Sequence, residues 1–221
     1  MPYVLLPAKV AGATITQPNW MQIRENFNVS AVAIATALGE IPVGDGATSL
    51  AMLTAGADNS TLVPDAGVGA TGMRWQIQPA VSVWRNAAFN PAGIWTSIEF
   101  TGERWDTNGM WVIGTPAELE VPAGGAGIYH IGGNIEFDNT GAPGEINMGV
   151  RILLNGATVI AQCLASDDDD GPKTSYNVSR DYNLAVGNTL ELQAYTNGGI
   201  NVLSSAQYSP EFWATWLRPV P

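Results

Sequence analysis

Four consecutive carboxylates, Asp167, Asp168, Asp169 and Asp170, form the densest group of chemically capable side chains in the sequence, and Gly171 and Pro172 follow them as turn formers. Hard cations such as Ca²⁺ take six to eight oxygen ligands, so the cluster is a candidate calcium site. It lacks the alternating spacing of an EF-hand, which favours the competing reading of a solvated acidic loop tip that keeps an assembly soluble. No other cofactor is expected. His130 is the single histidine, which removes histidine-rich metal sites and leaves one imidazole to serve as a base. It falls mid-strand on a polar face. No GxSxG elbow, Walker loop, HExxH helix or dinucleotide fingerprint is present, and the GGAGIYHIGG run is not followed by the helix that phosphate cradling needs. Its glycines fit close strand packing instead. Among acids that could pair as in glycosidases, Glu99, Glu103 and Asp106 are neighbours in sequence, as are Glu118 and Glu120. The latter two would project from one face of one strand, and nothing marks a cleft beside them. The chain is therefore not expected to be an enzyme.

The elements that position these groups follow from composition and pattern. With 46% hydrophobic and 13% charged residues, a chain of 221 residues buries a real core and does not stay disordered. Twenty-five glycines and fourteen prolines between short apolar runs point to many strands and turns. Twenty acidic against nine basic residues give a formal charge of −11, which repels phosphate backbones and anionic lipid headgroups. Nucleic acid is thus not an expected partner. Cys163 is alone, so neither an intramolecular disulfide nor a thiolate zinc cluster is available. No apolar stretch reaches bilayer length and no secretory pattern opens the chain, so membrane insertion is not expected and synthesis in the cytoplasm is.

One helix is predicted over residues 20–38, started by Thr16, Pro18 and Asn19 and stopped by Gly39 and Pro42. Within it Trp20, Phe27 and Ile34 recur every seven residues, with Ile23, Ser30 and Ala37 in the intermediate slots. So short a seam is marginal alone, and it needs copies of itself, its own domain or a larger assembly to pack on. Before it, PYVLLPAKVAGA over residues 2–13 is apolar and broken by two prolines, the pattern of an extended arm that docks. Residues 1–39 therefore read as a docking arm and helix, with Trp20, Ile23, Phe27 and Ile34 as the docking side chains.

Residues 40–75 shift to Gly, Ala, Asp and Thr with isolated Leu and Val, a connector composition. Its units GDGATSLAMLTAGADNSTLVPD and GATGMRW resemble a segment of bacteriophage tail-fibre and related virion proteins that joins an attachment part to a distal head.

Residues 76–221 carry the strand signals and have the length of a single β-sandwich of eight to ten strands. Tyr129, Ile131, Ile135 and Phe137 share one face with Gly133, while His130, Asn134 and Glu136 take the other. Met148, Val150, Ile152 and Leu154 alternate with Gly149, Arg151 and Leu153 up to an Asn155-Gly156 turn, which predicts a hairpin into TVIAQCLA. Leu190, Leu192 and Ala194 alternate after the turn at Val186, Gly187 and Asn188, and an aromatic strand closes the chain over residues 212–217. In this order the segments FNPAGIWTSIEFTGERWDTNGMW, VPAGGAGIYHIGGNIEF, GVRILLNGATVIAQ, YNLAVGNTLELQAY and AQYSPEFWATWL resemble the complement globular-head and tumour-necrosis-factor-like jelly roll. The first of them sits where that family places its first core strand. Trp213 and Trp216 stand where smaller residues are common, and the collagen stalk is absent.

The fold class expected is mainly β, an antiparallel jelly-roll sandwich behind a short N-terminal helix and extended arm. The resemblance implies a homotrimer, and eight tryptophans in so uncharged a chain exceed what one sandwich interior holds, so some should line subunit contacts. The two resemblances imply a non-enzymatic virion protein: a tail-fibre or spike component whose trimeric head contacts host surface glycan or protein, with residues 1–39 bound to other virion proteins. The alternative is a capsid decoration protein that clamps the shell, and a third reading is a free carbohydrate-binding module. The tail is the favoured location.

Overall fold

The structure, a computed structural model, describes residues 41–44, 50–54, 56, 60–64, 73–91, 93–139, 144–167, 173–204 and 210–220. The expected arm over residues 2–13 and the helix over 20–38, with Trp20, Ile23, Phe27 and Ile34, lie outside the described residues. The chain divides into two units, residues 1–75 and 76–221.

In the first unit, β1 (Ile41–Gly44) pairs antiparallel with β2 (Leu50–Leu53), Ile41 facing Leu53 and Gly44 facing Leu50. A second ribbon joins β3 (Ser60–Pro64) to β4 (Met73–Ile77), which runs on past the division. Composition gave no sign of these strands, because Gly and Ala carry no alternation to read. One glycine has a packing reason. A side chain on Gly56 would collide with the Trp75 indole, whose Nε1 donates to the Thr54 carbonyl at 2.6 Å.

The second unit holds, among the described residues, ten strands in two five-stranded antiparallel sheets. They are β5 (Ala80–Trp84), β6 (Thr96–Ser97), β7 (Gly102–Asp106), β8 (Glu118–Glu120), β9 (Gly127–Phe137), β10 (Ile146–Leu154), β11 (Thr158–Asp167), β12 (Thr174–Leu184), β13 (Thr189–Thr196) and β14 (Glu211–Arg218). One sheet has the order β11-β10-β13-β6, with β8 also on β13; the other runs β12-β9-β14-β5-β7. β9 and β12 are neighbours although the β10–β11 hairpin lies between them in sequence and belongs to the opposite sheet. That nesting is the jelly roll, and it agrees with the fold class and strand number expected.

Strand alternation decides which residues meet between the sheets. β9 buries Tyr129, Ile131, Gly133, Ile135 and Phe137, as its pattern requires, and they meet Leu190, Leu192 and Ala194 of β13 and Met148, Val150 and Ile152 of β10. Phe100 stacks on Phe212 at 5.9 Å, and Phe137 meets Tyr176 edge-on at 5.8 Å. Gly132 and Gly133 of β9 admit one large side chain each. A Cβ on Gly133 would collide with the Leu192 methyls from the facing sheet, and one on Gly132 with the Trp213 indole on the outer face. Close packing, the sequence reading of this run, is what they serve.

The hairpin forms as expected. Asn155 and Gly156 have φ of 51° and 64°, the left-handed pair that a two-residue turn of this hand needs. The first core strand, by contrast, is β5, whose Val81 and Val83 are fully buried, and not the downstream FNPAGIWTSIEFTGERWDTNGMW segment. That segment supplies β6 to one sheet and β7 to the other, separated by the loop residues 98–101. Its prolines and glycines break it too often for one long strand.

Candidate functional site

The acids weighed as catalytic pairs have structural surroundings. Asp106, at the end of β7, accepts from the backbone N–H groups of Asn108, Met110 and Trp111 at 3.2, 3.0 and 2.8 Å, and so holds the turn that follows. Glu118 and Glu120 flank the buried Leu119 on β8, as their spacing predicted, and Glu99 and Glu103 are exposed. His130 on β9 lies opposite Asp181 on β12, its Nδ1 2.8 Å from Asp181 Oδ1, with Thr215 of β14 across the other ladder. Side-chain exposures of 46% and 61% place this pair at the surface, where such a contact adds little stability. Asp167 is the last residue of β11, and Asp168, Asp169 and Asp170 lie outside the described residues. Among the described residues, no group of three or more His, Cys, Asp or Glu is arranged to hold a metal ion.

Two outward surfaces of the sandwich concentrate large side chains. On the five-stranded sheet through β9 and β14, register places Trp105, Ser82, Trp213, Gly132 and Ser179 in one row across all five strands. Small residues in that row leave room for the indoles: Trp213 lies over Gly132, and in the next row Trp84 lies over Gly102. Trp105 is 50% exposed. Beneath them Glu211 Oε1 accepts from Ser82 Oγ at 2.7 Å and from Arg104 Nε at 3.0 Å, which fixes the floor of the patch. Asn134, in register with Glu211 and Asn177, has its Oδ1 shielded from solvent without a donor. A shielded acceptor of this kind costs about 1–3 kcal/mol unless something donates to it.

The second surface lies on the other sheet, where β10, β13 and the short edge strand β6 run side by side. Arg151 places its guanidinium carbon 4.4 Å from the centre of the Trp95 ring, and Trp95 meets Tyr195 at 5.3 Å with the planes tilted by 32°. Gly149 makes space for the Trp95 edge, which a Cβ there would meet at 3.1 Å. Arg151 Nε donates to Gln193 Oε1 at 2.7 Å, Gln193 Nε2 donates to Ser97 Oγ at 2.9 Å, and Ser97 in turn donates to Glu191. Desolvation lowers the Arg151 pKa from its usual value, against the opposing pull of Glu191. Ser97 also lines a cleft of about 210 Å³ together with Arg85, Phe89, Thr96 and Glu99. Arg85 stacks on Phe89 at 5.1 Å and donates to the Ala87 and Glu99 carbonyls, each at 2.6 Å.

Sequence reasoning pointed to tryptophans in subunit contacts without naming the row, and it passed over the Trp95 cluster entirely. Trp95, Arg151 and Gln193 come from three segments far apart in the chain. Only the pairing of β13 with both β10 and β6 joins them.

No family model matches the chain, and no curated protein matches it. Among solved structures it is similar to crystal structures of murine APRIL determined at pH 5.0, pH 8.5 and pH 8.0, each with a TM-score of 0.47 over 63% of this chain and 99% of that one. Sequence identity is 11% for the first two and 12% for the third.

Proposed function

We propose that the chain is a non-catalytic structural subunit of a bacteriophage particle, a tail-fibre or spike component whose β-sandwich head assembles as a homotrimer and contacts the host surface. The row of Trp105 and Trp213 on the outer face of the β12-β9-β14-β5-β7 sheet carries this reading, because an indole half open to water, Trp105, in register with the partly open Trp213 marks a surface that another protein covers. The connector resemblance supports placement on a virion, and residues 1–39 would supply attachment to the particle. The acidic run from Asp167 to Asp170 is a candidate calcium site, tested by a shift in melting temperature on adding calcium.

Light scattering on the full chain tests the assembly: three times 23.3 kDa is the expected mass. Trp213→Glu should convert the trimer to monomer while the circular dichroism of the sandwich persists. A monomeric full-length protein at micromolar concentration refutes the assembly. Particle imaging with a tagged copy tests the location, with labels expected on the tail. Labels on the shell would instead support capsid decoration, and a chain absent from purified particles ends both virion readings.

A further inference from the structure

We infer that the cleft beside β6 and the adjoining Trp95 cluster form a subsite for one neutral hexopyranose unit of a surface glycan. This deepens the reading of the head as a host-contacting unit and rests on it. Three features point to that ligand class.

The first is the pairing of a stacking surface with planar polar groups. A pyranose ring presents a face of C–H groups, which pack on aromatic rings, and a rim of vicinal hydroxyls, each both donor and acceptor. Trp95 and Tyr195 supply rings in mutual contact on the outer face of the sheet. Guanidinium and carboxylate groups meet two neighbouring hydroxyls at once, and the part-buried Arg151 and Glu191 supply one of each, held from behind by the buried Gln193. Their mutual hydrogen bonds hold them in place before any ligand arrives, which reduces the ordering cost of binding.

The second is size. At about 210 Å³ the cleft is smaller than the roughly 300 Å³ where drug-sized ligands begin to fit, and suits a single ring. Ser97 belongs both to the cleft lining and to the hydrogen-bond chain, so it joins the two parts of the subsite. The third is charge. Arg85 and Arg151 are matched by Glu99 and Glu191, which leaves the site without the surplus positive charge that sialylated, sulfated or phosphorylated sugars would need.

Saturation-transfer NMR on the full chain tests the inference with methyl glucoside, methyl galactoside and methyl mannoside at tens of millimolar, alongside sialyllactose and an aromatic dipeptide. At least one neutral hexoside should receive saturation on its ring C–H protons. Glu191→Gln and Glu99→Gln should each weaken binding by about tenfold, the loss of one charged hydrogen bond. Trp95→Leu should abolish transfer, and if that variant misfolds, the two isosteric glutamine variants carry the test alone. No transfer to any neutral hexoside, transfer unchanged in the glutamine variants, or transfer to sialyllactose or the dipeptide alone overturns the inference. Mass and particle location decide the trimeric virion reading separately, so failure of either is told from failure of the other.

Discussion

Tyr129 illustrates how one side chain ties fold stability to pH. It is fully buried, its hydroxyl donates to the Gly125 carbonyl at 2.6 Å, and burial pushes the phenol well above its usual value near 10. The folded protein therefore keeps a proton that the unfolded chain releases above pH 10. Stability is fully present below that value and falls as pH rises beyond it, by about 1.4 kcal/mol per pH unit while only the unfolded state ionises. Thermal melts from pH 9 to 11.5 should show this decline, and Tyr129→Phe should flatten it while costing about 1 kcal/mol at neutral pH for the abandoned carbonyl. Gly133→Ala should cost more, about 1–3 kcal/mol by overpacking, because the added methyl meets Leu192 from the facing sheet. Chemical denaturation of the two variants side by side measures the difference.

Among the elements, the β10–β11 hairpin was legible because its turn is encoded locally. Asn155 and Gly156 both adopt positive φ, and Asn155 Oδ1 also accepts from the Thr189 N–H at 2.9 Å, which locks the hairpin end to β13. Gly156→Ala should destabilise by about 1 kcal/mol, read as a lower melting temperature with unchanged circular dichroism. β12 was not legible as a strand of its own, although Tyr176, Val178, Tyr182 and Leu184 alternate along it, because Arg180 occupies the apolar slot between them. The pairing explains the exception. Arg180 donates to the Ile160 carbonyl of β11, 2.9 Å away, so a charge that breaks the pattern in sequence covers a backbone acceptor on the neighbouring sheet's edge strand. β5 was missed for a different reason. Five residues with Ser82 at the centre give too short an alternation to stand out, yet Val81 and Val83 are fully buried. The Trp95 cluster was illegible because tertiary pairing, and no local spacing, assembles it.

For the whole molecule, the proposed trimer predicts that melting temperature rises with protein concentration, because dissociation accompanies unfolding when subunits cover one another. A melting temperature that stays constant over a hundredfold dilution series contradicts trimerisation. The adjacent glycines of β9 carry that coupling inward. At Gly132 and Gly133 the sheet is no thicker than its own main chain, with Trp213 pressed on the outside and Leu192 on the inside. In the proposed trimer, a load placed on the indole by a neighbouring subunit would reach the hydrophobic interior across a single peptide layer. This thin window makes the amide protons of β9 a natural gauge of docking, slowing their exchange with solvent when the outer surface is occupied and quickening it when the surface is bare.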